Sequence, residues 1–446
     1  MELQLLAALA LGVAAVVALI LWSRLDAFVG LLAGALVTGV VAGVPVTELI
    51  DHISTGFGST LGGIGVVIAL GVMIGKILEE SGGADALAKL FVRMAGKGRE
   101  DVAMTATGAV VSVPVFCDSG FVILHPLARS LARRYGRPIV TLCLALAGGL
   151  AITHHMVPPT PGPLAAAGLF GADLGSVILA GLLFVIPLIP VVVAYARIVG
   201  PRLESQLDPA LVGDADEDEI GKEPADPRIG AFRASIPLLL PLLLIVGNTV
   251  TGAAMEGSAV ATVFAFLGEP AIALLIGLAI AVYLLPPRGT DRKTVLGWLT
   301  AAAASAGMIV FITGAGGAFG EVLRQSGVGD ALADAVSGWP VPMFLMPFLI
   351  ASFVRVAQGS GTVAIITAAT LSAPIVEAAG VNPTLAVLSA CAGSMVFSYF
   401  SDSFFWVVTR FTGLSGVAAM KMWSGMTTTL WLASLPLLGV AALILN

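Results

Sequence analysis

The hydrophobic positions of this sequence form long apolar runs that are separated by short polar turns. A helix needs about 20 apolar residues to cross the core of a bilayer, and most of the runs reach or approach that length. The predicted spans are roughly 3–22, 26–43, 61–79, 139–170, 174–197, 234–253, 268–286, 296–320, 383–412 and 420–445. The pattern therefore predicts an all-α integral membrane protein.

Two of the predicted spans have polar centres. The span 139–170 is interrupted at THHMVPPTPGP (153–163), and the span 383–412 is interrupted at SYFSDSFF (398–405). Proline removes a backbone donor and clashes with the preceding turn, so it cannot continue a helix. Unpaired backbone groups are tolerated at membrane depth only where protein or a watery cavity surrounds them. We therefore expect both breaks to line a cavity.

Two further apolar stretches, 101–130 and 341–378, are also interrupted by polar, glycine- or proline-containing centres. Each half is shorter than the length that a crossing needs. These stretches are predicted to be re-entrant hairpins whose tips stop near the midplane of the membrane.

The sequence also repeats itself. GKILEESGGADALA (75–88) aligns without gaps with GEVLRQSGVGDALA (320–333), and eight of the 14 positions are identical. The same offset of 245 residues carries the first hairpin tip (114–121) onto the second (359–366), and the first helix break onto the second. The chain is interpreted as a duplicated unit.

Charge patterning sets the predicted boundaries and the orientation. Eight acidic residues lie between 208 and 226, and we divide the chain into a first repeat (1–199), an acidic linker (200–232) and a second repeat (233–446). Most lysines and arginines fall inside if the N-terminus lies outside. The first repeat then crosses about five times, so the second begins on the opposite side; the repeats are inverted and the C-terminus also lies outside. An amphipathic helix at 81–101 is expected at the cytoplasmic surface.

Composition supports the membrane assignment and excludes other classes. The chain is 58% hydrophobic and 11% charged, whereas soluble domains carry about 25% charged residues. The three cysteines have no metal or redox spacing, no phosphate-binding loop of an ATP-driven pump is present, and no basic face suits nucleic acid. Inverted repeats with interrupted helices are typical of secondary transporters. A passive channel and a membrane-embedded enzyme are the alternative classes, but no arrangement of nucleophile and base supports the enzyme.

The first break contains the candidate substrate contacts His154, His155, Pro159, Thr160 and Gly162. The half-helix that restarts after the prolines points free N–H groups at the cavity, and its positive end suits a carboxylate. Two histidines beside an unwound segment are candidates for hydroxyl contacts or proton coupling.

The second break contains Asp402, a carboxylate at membrane depth, between Ser401 and Ser403. Intramembrane carboxylates are costly and usually functional. The serine hydroxyls can donate to and accept from a polyhydroxylated ligand. Capping of the following half-helix is the alternative role for this segment.

The hairpin tips add two polar clusters. Asp118 and Ser119 lie at the first tip, and Asp118 is a candidate proton carrier. Arg355 precedes the second tip and could pair with the substrate carboxylate, with Asp118 or with Asp402. Successive N–H groups in a glycine-rich tip can form an anion-binding nest. The candidate residues at the second tip are Gln358, Gly359, Ser360, Gly361 and Thr362.

These stretches together resemble the gluconate permease family (gluconate:proton symporters) of the wider ion transporter superfamily. The most specific match is the HxxxPPxPGP pattern that starts at His154, and further matches lie at 56–88, 113–128, 355–370 and 398–415. The resemblance implies proton-coupled uptake of gluconate or a related sugar acid across a bacterial inner membrane. It also implies a dimerising scaffold domain and a mobile transport domain that moves as an elevator.

The function expected from these residues is a symporter for a small polyol carboxylate. The two half-helix starts and the glycine-rich tip would hold the carboxylate. Asp118 or Asp402 would take the coupling proton, and no metal or organic cofactor is expected. A sodium-coupled carrier of another small hydroxy- or keto-carboxylate is the alternative. The residues expected to bind substrate hydroxyls are His154, Ser360, Thr362, Ser401 and Ser403.

Overall fold

The computed structural model describes residues 2–21, 23, 25–84, 86–87, 89–90, 98–113, 115–207, 230–255, 257–328, 331, 342–399 and 402–445. Within these ranges the chain is helical and contains no β-strand, which confirms the predicted all-α class. Most of the predicted linker and much of the predicted surface helix at 81–101 lie outside the described residues.

The helices of the first half begin with four apolar or amphipathic segments and continue into the first helix break. They are α1 (Glu2–Leu21), α2 (Ala27–Ala42), α3 (Val46–Thr60), α4 (Val66–Glu80), α5 (Glu100–Val111), α6 (Cys117–Tyr135), α7 (Ile139–Met156), α8 (Pro161–Phe170) and α9 (Leu174–Leu203).

The second half contains ten helices within the described ranges. They are α10 (Ala231–Ala254), α11 (Ala259–Leu267), α12 (Pro270–Leu284), α13 (Arg292–Gln325), α14 (Met346–Gln358), α15 (Gly361–Ala378), α16 (Pro383–Gly393), α17 (Ser403–Thr412), α18 (Gly416–Ala419) and α19 (Gly425–Leu445). A π-helical turn at Met420–Ser424 joins α18 to α19. In the part of the chain that is described, six helical segments are long and apolar enough to cross a membrane, or up to eight if each bent pair is one span.

Both predicted helix breaks are present. α7 ends at Met156 and α8 begins at Pro161, and α16 ends at Gly393 and α17 begins at Ser403. The stretches predicted to be re-entrant hairpins contain two helices each, α5 with α6 and α14 with α15. The prediction that each half is too short to cross was wrong for α15, which is long and apolar enough to span a membrane.

Two helices differ from the predicted spans. The span predicted at 61–79 extends back to Val46 through a π-helical turn at Leu61–Gly65. The segment 46–60 carries several polar residues, so its hydropathy does not mark it as a span. The span predicted at 268–286 is preceded by α11, which is bent by 65° relative to α12.

Helix ends recur at the offset found in the sequence. Glu80 ends α4 and Gln325 ends α13, 245 residues later. The glycines that follow, Gly82 and Gly327, both adopt left-handed conformations, with φ of 78° and 75°. The duplication in the sequence therefore has a counterpart in local structure.

α7 lies at the centre of the fold, and every residue from Val140 to Met156 is buried. It packs closely against α5, because a Cβ atom at Gly149 would lie 2.1 Å from the carbonyl oxygen of Thr105. One hydrophobic cluster surrounds α5–α7, α9 and α16, and a second joins α1–α4 to α13. The polar cavity described next lies where the two clusters meet.

Candidate functional site

The two helix breaks and the tips of the two predicted hairpins meet around a partly open cavity of about 280 Å³. The starts of α6, α15 and α17 reach its wall, together with the end of α7 and parts of α2, α13 and α19. The polar and charged residues of the wall are Asp26, Asp118, His154, His155, Arg355, Ser360, Thr362, Asp402, Ser403 and Thr427. Eight of the predicted site residues are therefore brought together with Gly361, which also lines the cavity.

Arg355 and Asp402 form an ion pair at the wall of this cavity. Nη2 of Arg355 donates to Oδ2 of Asp402 at 2.6 Å, and the two residues are only 4% and 7% exposed. Nη1 of the same arginine donates to the carbonyl oxygen of Gly359. Of the three partners considered for Arg355, the structure shows Asp402. Its burial also distinguishes it from an arginine that reaches out to a membrane surface.

Asp402 has a second role as the N-cap of α17, because its Oδ1 accepts from the backbone N–H of Phe404 at 3.2 Å. Capping and ion pairing thus use different oxygens of one carboxylate. The Ser398 hydroxyl also donates to Oδ2. Asp402 is therefore held by a guanidinium, a hydroxyl and a backbone N–H, which together compensate a buried negative charge.

Ser398 is in turn fixed by α19 and the turn before it. The indole N–H of Trp423 donates to Ser398 Oγ at 2.9 Å, and the Ser398 N–H donates to Thr427 Oγ1 at 3.0 Å. The Ser424 hydroxyl donates to the Ser398 carbonyl. We did not identify Ser398, Trp423, Ser424 or Thr427 as site residues from the sequence, where the last three belong to an apolar span.

Asp118 lies across the cavity in the first turn of α6 and is partly buried. Its Oδ1 accepts from the Ser403 hydroxyl at 3.4 Å. Among the described residues, no lysine, arginine or histidine forms an ion pair with Asp118. Of the three carboxylates on the wall, Asp26 is exposed, Asp118 is partly buried and Asp402 is buried. The latter two differ in pairing, since among the described residues Asp402 has a cationic partner and Asp118 does not.

The histidines end α7 and are 8% and 7% exposed. His155 Nδ1 lies 2.8 Å from the carbonyl oxygen of Ala151, so this nitrogen carries the proton and Nε2 is an acceptor in the neutral ring. Nε2 faces Gly361, where a Cβ atom would lie 2.3 Å away. Within the described ranges, His155 Nε2, His154 Nδ1 and Arg355 Nε have no hydrogen-bond partner. Such orphaned buried groups are rare, and all three residues line the cavity.

Several predicted residues lie beside the cavity instead of on its wall. Pro159 and Thr160 border a smaller space next to Phe116 and His154, and the Thr160 hydroxyl donates to the carbonyl oxygen of Val157. Gly162 allows α8 to pack on α15, because a Cβ atom there would lie 2.8 Å from Ile365 Cδ1.

Four of the predicted site residues remain, namely Ser119, Gln358, Gly359 and Ser401. Ser119 follows Asp118 in α6 but does not line the cavity. Gly359 contributes its carbonyl to Arg355 and has a φ of 92°. The side chain of Gln358 and the whole of Ser401 lie outside the described residues. In the described part of the chain, no group of three or more His, Cys, Asp or Glu side chains could hold a metal ion.

A cavity that carries charged and polar side chains where interrupted apolar helices meet is typical of secondary transporters. The chain belongs to the GntP permease family, because the model of that family matches residues 4–444. The family predicted from the motifs is thereby confirmed, and the chain is a multi-pass permease and not an enzyme.

Individual relatives extend this result. The chain is 42% identical to an uncharacterized permease of Haemophilus influenzae, over 95% of this chain and 89% of that protein. It is 35% identical to a gluconate permease of Pseudomonas aeruginosa, over 95% of this chain and 94% of that protein. Its fold is similar to that of the YdaH transporter of Alcanivorax borkumensis, with a TM-score of 0.68 at 18% identity over 93% of this chain and 97% of that one.

Proposed function

We propose that this permease imports gluconate or a related small sugar acid together with a proton, by alternating access across a bacterial inner membrane. The observation that carries the proposal is that Arg355, His154 and His155 line one cavity and that each has a buried nitrogen without a hydrogen-bond partner among the described residues. The free Nε–H of the guanidinium can donate to a carboxylate. Ring nitrogens and the hydroxyls of Ser360 and Thr362 can bind the hydroxyls of a polyol.

The size and wall of the cavity support a ligand of this class. Its volume of about 280 Å³ is large enough for several waters, each of which occupies roughly 30 Å³ in the liquid. A space of this size can hold a small organic acid. The relative from Pseudomonas aeruginosa, named a gluconate permease, supports the same class of substrate.

Uptake by purified protein in liposomes tests this function. We expect labelled gluconate to accumulate when the outside is acidic and the sodium concentrations are equal, and accumulation to collapse when a protonophore is added. Accumulation that ignores the pH gradient and follows a sodium gradient would favour the sodium-coupled alternative. A panel of C3 to C6 hydroxy and keto acids, compared by thermal stabilisation, would rank substrates because a bound ligand stabilises the folded state.

We also propose that the transport step moves a unit containing both hairpins and both broken helices against a scaffold that forms the homodimer. The inverted repeats at 1–199 and 233–446, with the linker at 200–232 and both termini outside, would supply the two related halves. The two hydrophobic clusters support such a division, because one contains residues of α1–α3 and α13 and the other contains residues of α5–α7 and α16. Helices α4, α8, α12 and α15 contribute residues to both clusters and lie at the boundary between them.

A cross-link between α13 and α15 tests this movement. A Cβ atom at Gly316 would lie 3.7 Å from Thr370 Cβ, within the range of about 3.5–4.5 Å found for disulfides. Oxidation of the G316C/T370C variant should stop transport and reduction should restore it. Each single cysteine variant is the control, and transport that continues in the oxidised double variant would contradict relative movement of these helices.

A further inference from the structure

We propose that Asp118 carries the coupling proton and that Asp402 remains ionised throughout the transport cycle. This inference rests on the proposed function, in which a carboxylate enters the cavity with a proton. It assigns different roles to the two carboxylates, which the sequence left as equal candidates.

Both carboxylate oxygens of Asp402 accept hydrogen bonds. Its oxygens accept from Arg355, Ser398 and the N–H of Phe404, and each of these bonds favours the ionised form. Protonation would weaken all three and would leave the guanidinium of Arg355 buried without its counter-ion. Asp402 is therefore built to stay charged.

Asp118 has a neutral partner, in contrast to Asp402. Apart from its own backbone, the contact found among the described residues is the Ser403 hydroxyl, 3.4 Å away. A hydroxyl can donate to an ionised carboxylate or accept from a protonated one, so this bond serves both states of Asp118. The other titratable and charged groups at the cavity are Cys117 on the same helix, His154 and His155 on α7, Arg355 on α14, Asp402 beside α17 and Asp26 before α2.

The net charge of the cavity wall changes when an anionic substrate enters. With both imidazoles neutral and the exposed Asp26 left aside, Asp118, Asp402 and Arg355 give the empty site one net negative charge. A substrate carboxylate that enters alone raises this to two, in surroundings that screen charge poorly. If Asp118 takes a proton, the loaded and the empty site carry the same net charge. Entry of the anion and protonation of Asp118 are therefore coupled.

The helix ends explain where the anion and the proton meet. Side chains cap the starts of α15 and α17, through Ser360 and Asp402. The starts of α6 and α8 have no side-chain cap. The ring centroid of His154, whose Nδ1 has no partner among the described residues, lies 5.9 Å from the ring centroid of Phe116, the residue before α6. The uncapped N–H groups of α6 suit a carboxylate, and Asp118 stands in the same turn. A charged Asp118 would repel an anion there, whereas a protonated Asp118 can donate to it.

The first experiment follows the carboxyl groups without any substrate. Infrared difference spectra of the purified protein between low and high pH should contain a titrating carboxyl C=O band that is absent from D118N and retained by D118E. Loss of that band from D402N, with the band intact in D118N, would overturn the assignment. Because no substrate is added, this result is independent of whether gluconate is the ligand.

The second experiment uses gluconate in liposomes. The affinity of the wild-type protein should fall with rising pH, approaching tenfold per unit above the pKa of the coupling group, while the affinity of D118N should not change. D118N should exchange labelled for unlabelled gluconate but should not concentrate it with a pH gradient, and D118E should regain accumulation. Proton-driven accumulation by D118N would overturn the proposal, whereas a wild-type protein that neither binds nor moves gluconate would contradict only the proposed substrate.

Discussion

The half of the cavity formed by the second hairpin tip and the second break differs from the half formed by the first tip and break. In the second half, polar groups are paired with one another: Arg355 with Asp402, Asp402 with Ser398, and Ser398 with Trp423. In the first half, the rings of His154 and His155 each keep an atom without a partner among the described residues, whereas in the paired network of the second half the Nε of Arg355 is the one such atom that the described residues leave.

This difference separates two requirements of an anion carrier. A paired and capped network holds a guanidinium in a defined position before the ligand arrives, which lowers the cost of ordering it on binding. Orphaned atoms and uncapped helix starts are costly in the empty state and are satisfied when a ligand supplies partners. The second half is thus preorganised, and the first half is completed by substrate and proton.

The largest effect should come from separating the ion pair. D402N leaves the guanidinium of Arg355 buried without a counter-ion, and removing one partner of a buried pair costs about 3–5 kcal/mol. We expect the apparent melting temperature of the purified protein to fall sharply, with loss of gluconate uptake.

A double variant provides the control. R355M/D402N removes both charges, so it should be more stable than D402N while still failing to transport. If D402N is as stable as the wild type, the second half is not held together by this pair and the contrast between the halves is lost.

The next effect should come from the contact between the halves. In G361A the added Cβ atom would lie 2.3 Å from Nε2 of His155. The ring cannot move freely, because its Nδ1 is hydrogen-bonded to the carbonyl oxygen of Ala151. Overpacking of this kind destabilises the folded state by about 1–3 kcal/mol, so we expect the apparent melting temperature to fall and, because His155 lines the cavity, gluconate uptake to fall with it.

The matched control for G361A is G58A, a helical glycine with no atom within 4 Å of the added Cβ position. G58A should transport normally. Equal activity of G361A and G58A would show that the His155 ring is not confined by the second hairpin tip.

The positions of the breaks were predictable from the sequence because their causes are local. Apolar length and the clustered prolines of 153–163 identify an interrupted span without knowledge of any contact. The partner of Arg355 was not predictable, because Asp402 lies 47 residues away and Asp118 was an equally good candidate. Choosing between them requires the geometry of the folded chain.

The network around Ser398 was missed for a related reason. Trp423 lies in an apolar run, where an indole is equally expected at a lipid surface or in a core. It reaches Ser398 because the helix makes a π-helical turn at Met420–Ser424. Such turns are frequent at functional sites, but no local sequence signal at 420–424 marked this one.

The smallest effect should come from the outer member of that network. W423F removes the indole N–H that donates to Ser398 Oγ but keeps a ring that can pack on Phe404, whose centroid lies 5.0 Å from that of Trp423. A single neutral hydrogen bond contributes about 0.5–1.5 kcal/mol, so we expect KM for gluconate to rise by roughly two- to tenfold with kcat nearly unchanged. Uptake kinetics at several gluconate concentrations would separate the two parameters.

A selective rise in KM is expected if Trp423 positions Ser398 and Asp402 for the arginine that receives the carboxylate. An equal loss of kcat and stability without a change in KM would instead assign Trp423 to packing alone, and the preorganised part of the second half would then end at Ser398.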